Sequence, residues 1–306
     1  MTDLAIFYEH ESWFEPLFAV LERRGVDYAA ILARDHIFDP AEPKAPAPVI
    51  FNRIAMSSFT RDAEHPIFYA QALFEHWQSA GARVLNGAAA LAIDASKARQ
   101  LSLISALGLH TPRTRVVHRR ADAPRAAADL RFPVVVKADI GGAGSGIARF
   151  DSSADLAVAA EAGETPMGVN GVALVQEYIP RRGGKITRVE TLAGRFLYAI
   201  DIASDGDTFD LCPADACAID RPPISMTAAR PPAELIAAAE TIARAAHLDV
   251  GGIEYLIDDR DGAARFFDIN ALSNFVAKPL DVLGWDPHER LADFLIGVIG
   301  ERRAAA

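Results

Sequence analysis

Apolar positions along this chain recur with two periods, and the changes of period mark its elements. The apolar run 4–8 predicts a strand, and Leu17, Val20 and Leu21 recur at helical spacing across 15–24. Gly25 stops that helix before a second apolar strand at 28–32. A Pro-rich stretch, 40–48, reads as loop; 49–53 is a strand, Pro66 opens a helix to about Ser79, and 83–86 is a further strand. This βαβ opening predicts a small α/β unit over residues 1–90. Asn52 and Arg53 end one of its strands, where open α/β sheets place ligand-binding groups, so both are candidate substrate contacts. A structural hydrogen-bonding role is the alternative.

Residues 87–93 read as a linker into a helix that Asp94 or Ser96 could cap, with Leu101, Ile104 and Leu107 as its buried stripe and Gly108 as its stop. Lys97 falls in the first turn, where the helix dipole disfavours a cation by roughly a few tenths of a kcal/mol. Either an anion lies nearby or the charge is merely superficial. Farther on, the β-branched strand 132–137 ends in Lys137, and the loop 139–146 contains Gly141, Gly142, Gly144, Ser145 and Gly146 before the chain returns as a strand at 147–150. Phosphate-binding loops of the GxxxxGK and GxGxxG types lead into a helix, so this one is neither. A glycine-rich hairpin tip can still close its backbone N–H groups over phosphates, with Ser145 as an extra donor and Lys137 as the charge. The competing reading is a plain flexible hairpin.

A Ser-capped helix at 153–161 precedes the buried strand 172–180, which carries Gln176 and Glu177. A hairpin follows, 186–192 turning at Ala193-Gly194 into 195–200. The period of two puts Arg188 and Glu190 on one face, and Arg188 suits either a phosphate or carboxylate ligand or a cross-strand ion pair. Pro231 and Pro232 open a helix through Leu235, Ile236, Ala239, Ile242 and Ala246. The segment 251–275 then forms a second hairpin around the turn Asp258-Asp259-Arg260-Asp261-Gly262. That turn sets Glu254 opposite Asp268, with Asn270 on the same face about 6.6 Å along. Two carboxylates about 5 Å apart repel by roughly 3 kcal/mol at an effective dielectric near 20. A cation reverses that sign, and oxygen donors from Glu, Asp and Asn suit Mg²⁺; a solvated acidic hairpin is the alternative.

Composition narrows the partners. The 306 residues are 51% hydrophobic and 24% charged, with a formal net charge of −10. No basic block exceeds the Arg181-Arg182 pair, which argues against nucleic acid and membrane-surface partners. No basic-then-apolar leader and no uninterrupted apolar span of membrane length occur, so a cytoplasmic protein is expected. Cys212 and Cys217 are too few for a disulfide framework or a zinc site and read as reduced thiols. His110, His118 and His247 read as surface or capping residues.

The order of Lys97, strand-end Lys137 with its glycine loop, Gln176-Glu177, Arg188, Glu254 and Asp268-x-Asn270 resembles the ATP-grasp superfamily from residue 88 to the C-terminus. Among its members the chain looks most like the carboxylate–amine ligases of the ribosomal-protein glutamate ligase group. The resemblance implies an α/β (α+β) fold: a Rossmann-like N-terminal domain over 1–90, then two α+β subdomains, 91–180 and 181–306, that sandwich ATP. It implies that Lys97 and Lys137 contact ATP phosphates beneath the loop of Gly141, Gly142, Gly144, Ser145 and Gly146. Gln176, Glu177, Tyr178 and Ile179 would hold adenine and ribose, and Arg188 with Lys137 would serve catalysis. Glu254, Asp268 and Asn270 would hold Mg²⁺, with Mn²⁺ as a substitute. The implied substrates are a small carboxylate and an amine, amino acids or a peptide among them, joined through an acyl phosphate; a homo-oligomer is compatible with this.

Departures from the family pattern bear on specificity. The two metal acids are exchanged relative to many members, and Ile186 follows Lys185 where an Asp is common. A Pro-Gly stretch is replaced by Ala271-Leu272-Ser273-Asn274-Phe275, which makes Ser273 and Asn274 candidate substrate contacts. Two other readings share the ATP half: a small-molecule kinase, and an ATP-binding regulatory module without turnover.

Overall fold

Parallel pairing comes first along the chain. A computed structural model of the protein describes residues 2–141, 146–204 and 224–305. Strand β1 (Leu4–Tyr8) leads through helix α1 (Glu15–Arg23) to β2 (Tyr28–Leu32), and β3 (Val49–Arg53) leads through α2 (Ile67–Ser79) to β4 (Arg83–Leu85). The four strands form one parallel sheet in the order β2-β1-β3-β4, with Leu4 in register with both Tyr28 and Val49. Every residue of β3 is buried, which explains its uninterrupted apolar pattern. Phe7, Phe74 and Trp77 meet on one side, Phe7 and Trp77 edge to face at 5.3 Å.

The expected linker at 87–93 is instead helix α3 (Ala88–Asp94). Its AAALAID run is too short to display a period, yet Ala90 and Leu91 are buried, and burial decides a short helix more than propensity does. Asp94 is therefore the last residue of α3 and not a cap. Ser96 caps α4 (Lys97–Ala106), its Oγ accepting from Arg99 N at 3.2 Å.

Two antiparallel sheets complete the fold. One, in the order β5-β8-β6-β7, joins β5 (Thr114–Val117), β6 (Val134–Ala138), β7 (Ile147–Phe150) and β8 (Ala173–Glu177), with α5 (Ala123–Ala126) and α6 (Ser153–Glu161) contributing to its core. The other, in the order β11-β10-β9-β12-β13, joins β9 (Lys185–Leu192), β10 (Arg195–Ser204), β11 (Ile224–Ala228), β12 (Val250–Ile257) and β13 (Ala264–Asn270). Ala193 and Gly194, at φ 52° and 68°, make the tight β9–β10 turn that the right-handed strand twist requires. Helix α7 (Ala233–Ala245) buries Ala239, Ile242 and Ala243 in this sheet's core.

After the short α8 (Pro279–Val282), the C-terminal α9 (Pro287–Ala305) returns to α1, where Arg24 pairs with Glu289 at 3.1 Å and with Asp293 at 2.7 Å. One apolar cluster runs from Leu4, Ile6 and Phe51 to Ile200, Val250 and Leu295, so the parallel sheet and the five-stranded sheet share a core. Among the described residues, no helix is long and apolar enough to cross a membrane. Cys212, Cys217, Gly142, Gly144 and Ser145 lie outside the described residues.

Candidate active site

The acidic hairpin has the register its turn predicts. Glu254 pairs with Asp268 and Gly252 with Asn270 across β12 and β13, and the register slips just beyond, where Tyr255 pairs with Phe266. The acids are thus directly opposed across the outermost strand pair of the sheet, beside the bulge. Asn270 Nδ2 lies 3.5 Å from Glu254 Oε1. Two cations already answer the charge: Lys97 Nζ pairs with Asp268 Oδ1, and Arg188 Nη1 donates to Glu254 Oε1 at 3.0 Å. Burial pushes the Glu254 carboxyl up to about 7, with Arg188 opposing and Asp268 adding to the rise. Among the described residues no cluster of three or more His, Cys, Asp and Glu could hold a metal alone. Two opposed carboxylates and an amide oxygen nevertheless fit Mg²⁺, which is normally held by one or two carboxylates plus substrate phosphates.

Arg188 makes ion pairs both along its own strand and across to β12. Besides Glu254, it donates from Nε to Glu190 Oε1 at 2.6 Å. Although burial works against the charge, Glu190 and then Glu254 hold the guanidinium above its usual range. A Cβ on Gly252 would overlap Arg188 Nε, Nη2 and Cζ. The glycine thus gives the guanidinium a flat seat on β12.

Lys137 is buried near the end of β6 and has no hydrogen-bond or ion-pair partner among the described residues. Burial takes its ammonium down to about 8, Lys97 adds to the fall, and Asp268 and Glu254 oppose it. Asp139, which sequence reasoning passed over, joins this lysine's strand to α4. Its carboxylate accepts from Ser96 Oγ at 3.1 Å, Ala98 N at 2.8 Å and Asn170 Nδ2 at 2.8 Å, while its carbonyl accepts from Lys97 N at 3.2 Å. An anion at a helix N-terminus is favourable, and this one anchors Lys97's turn close to Lys137. The only local signal was an acid placed between the strand and the glycines. Gly141 follows closely, and Gly146 closes the loop at φ 72°, its carbonyl accepting from Ala138 N at 2.9 Å.

The end of β8, Gln176 and Glu177, and the residues after it lead from the four-stranded sheet toward β9. Gln176 Nε2 donates to Thr114 Oγ1 at 2.7 Å, and Glu177 Oε1 accepts from Arg131 N at 3.0 Å and Arg113 Nη1 at 3.3 Å. Ile179 belongs to the shared core, and the Tyr178 ring lies 4.6 Å from the Arg149 guanidinium. The Gln176 and Glu177 side chains are therefore held by the protein.

Of the four substrate candidates, three converge. Arg53 Nη2 donates to Ser273 O and, at 3.0 Å, to Asn274 Oδ1, while its Cζ lies 4.9 Å from the Phe14 and Phe51 ring centres. Arg53 Nε and Nη1 are buried without a hydrogen-bond partner among the described residues. Burial takes this guanidinium down to about 9, and Glu190 opposes the fall. Asn52 stands apart, donating to Asn86 O at 2.8 Å and accepting from Ile54 N at 2.9 Å, which is the structural role. Asn86, also missed, is fully buried at φ 48°; its side chain donates to Val250 O and Ala271 O and accepts from Asp249 N and Val250 N. It clasps the parallel sheet to the strand that carries Glu254. An Asn ending a strand is the residue type that tolerates such a backbone, and that was its one signal.

Comparisons with known proteins bear on the family and the fold. Residues 96–274, more than half of the chain, match the family model described as carbamoyl-phosphate synthase L chain, ATP binding domain. A protein named probable alpha-L-glutamate ligase 1 from Pseudoalteromonas atlantica is 29% identical over 134 residues, covering 44% of this chain and 43% of that one. The chain thus spans less than half the length of the curated relatives it matches. Among solved structures, the RimK domain protein ATP-grasp from Sphaerobacter thermophilus has a TM-score of 0.67 at 18% identity, covering 96% of this chain and 99% of that one. D-alanine–D-alanine ligase from Bacillus anthracis complexed with ATP has a TM-score of 0.68 at 15% identity, covering 100% and 99%. The α/β architecture described above is the ATP-grasp fold.

Proposed function

Because this chain belongs to the family described as carbamoyl-phosphate synthase L chain, ATP binding domain, we propose that it is an ATP-dependent ligase joining a carboxylate to an amine through an acyl phosphate. The observation that carries this reading is the meeting of Lys137, buried and without an ion-pair partner among the described residues, with the Lys97–Asp268 and Arg188–Glu254 pairs where β6 faces the β12–β13 hairpin. A buried ammonium without a counter-ion is costly, and a nucleotide phosphate supplies one. The three units expected from the sequence, 1–90, 91–180 and 181–306, divide the work. The middle one brings Lys97, Lys137 and the glycine loop to the phosphates, and the last brings Arg188 and the metal donors.

The substrate carboxylate attacks the γ-phosphorus in line, and ADP departs. Lys137 and Lys97 neutralise the transferring group, and Arg188, fixed by Glu190, Glu254 and the Gly252 seat, holds the acyl phosphate formed. Phosphoryl transfer asks for placement and charge more than for acid–base chemistry, which suits a site whose lysines and arginine face the phosphates. Glu254, Asp268 and Asn270 would hold Mg²⁺, which would supply further neutralisation of phosphate charge when bound. The amine then attacks the acyl carbon and phosphate leaves. Arg53 with Ser273 and Asn274 forms the wall nearest the acceptor.

Assaying ADP release from ATP with amino acids and small acids, singly and in pairs, tests this reading; L-glutamate enters the panel because a relative is named for it. An amide by mass spectrometry, formed together with ADP, is the expected result. A stable phosphorylated product without an amide would replace the ligase with a kinase.

A further inference from the structure

Glu190 has more acceptor capacity than its structural partner uses. It lies on β9 two residues after Arg188, is 1% exposed, and accepts at Oε1 from Arg188 Nε at 2.6 Å, while Oε2 is buried with no hydrogen-bond partner among the described residues. Its register partners are Tyr198 on β10 and Gly252 on β12, so it shares one sheet face with Arg188 and Glu254. Arg53, from β3, is the other charge it acts on, and no hydrogen bond joins the two. Holding Arg188 needs one neutral oxygen, which a glutamine would supply. A buried carboxylate oxygen left without a donor is unfavourable, and that cost is repaid by a cation or N–H donor arriving with the substrate.

We propose that Glu190 receives the amine substrate: its free Oε2 binds the substrate ammonium and takes the proton that nitrogen must lose before attack. This rests on the ligase reading. One N–H bond of the ammonium breaks and its proton passes to Oε2; the freed lone pair forms the C–N bond at the acyl carbon beside Arg188. The C–O bond to phosphate breaks with its electron pair, and a second nitrogen proton leaves with the phosphate. The substrate class is a primary amine that is protonated near neutral pH, as an alkylamine or an amino-acid α-amine is. Arg53, Arg188 and Glu190 are all nearly fully buried, with Arg53 held on Ser273 O, so access of the amine requires these contacts to loosen.

Hydroxylamine separates base catalysis from positioning, because it is uncharged near neutral pH and needs no base. Each proteinogenic amino acid is offered in turn as carboxylate donor with ATP, once with hydroxylamine and once with amino-acid acceptors. The hydroxamate reports acyl phosphate, and the amide reports full transfer. In Glu190→Gln the amide-to-hydroxamate ratio falls at least about a hundredfold, the usual scale of a lost general base. Raising the pH partly restores that ratio by supplying free amine, with Arg188, Tyr198, Arg53 and Glu254 as the ionisable neighbours common to both acceptors. An unchanged ratio, with both products falling together, would make Glu190 only a support for Arg188 and overturn the proposal. Should the glutamine variant not fold, Glu190→Asp reads the same ratio, which falls if the base is displaced; no fall would again overturn it. No hydroxamate from the unaltered protein with any donor would instead remove the ligase reading beneath it, a failure separate from an unchanged ratio.

Discussion

Lys97, in the first turn of α4, pairs with Asp268 near the end of β13, so a cation from one sheet's approach helix sits on the acid of another sheet's edge. Both side chains are less than a fifth exposed, which puts the pair between a surface and a buried one. Lys97→Met leaves Asp268 facing Glu254 with one cation fewer. A loss of about 1–2 kcal/mol is expected in urea denaturation, together with weaker nucleotide binding by calorimetry. Unchanged stability and affinity would mean that the pair is incidental.

Gly252 answers to a different demand. Its place is dictated by Arg188 rather than by a turn, since β12 is extended there and any Cβ meets the guanidinium. Gly252→Ala is expected to lower stability by about 1–3 kcal/mol, as overpacking does, and to reduce ADP release more than its stability loss explains. Denaturation and an ADP assay on one preparation separate the two effects.

Lys137 predicts a pH dependence of nucleotide binding. Its ammonium is held down to about 8, so it is charged below that pH and increasingly neutral above it, and phosphate prefers the charged form. Affinity for ATP in the free protein should therefore fall as pH rises through about 8, and Lys137→Met should flatten that part of the profile. Titration calorimetry on either side of that pH shows whether the slope belongs to this lysine.

Asp94 predicts a slope in stability. Burial raises its folded-state value from 3.8 to about 7, Ala271 N opposing and Asp268 adding to the rise. The folded state then binds the proton more tightly than the unfolded chain. Asp94 favours folding below about pH 4, and that contribution is lost as pH rises toward 7. Asp94→Asn, which keeps the oxygen that accepts from Ala271 N, should gain stability relative to the unaltered protein as pH rises across that window. A parallel pair of stability–pH curves would contradict it.

Much of the site was legible because its signals are local. The turn at 258–262 set Glu254 against Asp268, and the period of two put Arg188 beside Glu190. What stayed hidden depends on contacts between distant segments. Asp139 reads as a loop acid until α4 is packed on it, Asn86 as a strand end until β12 arrives, and Gly252 as a flexible residue until Arg188 lies across it. Helix α3 was missed for a related reason: seven residues show no period, and only the core that covers Ala90 and Leu91 makes them a helix.

The proposed metal donors carry the central claim, and one double variant tests it most directly. Asp268→Asn with Asn270→Ala removes a carboxylate and an amide from the hairpin edge. With Mg²⁺ and the donor–acceptor pair that supports turnover, the variant should remain folded by circular dichroism and release no ADP above the rate without enzyme. ADP release at the unaltered protein's rate would contradict the account.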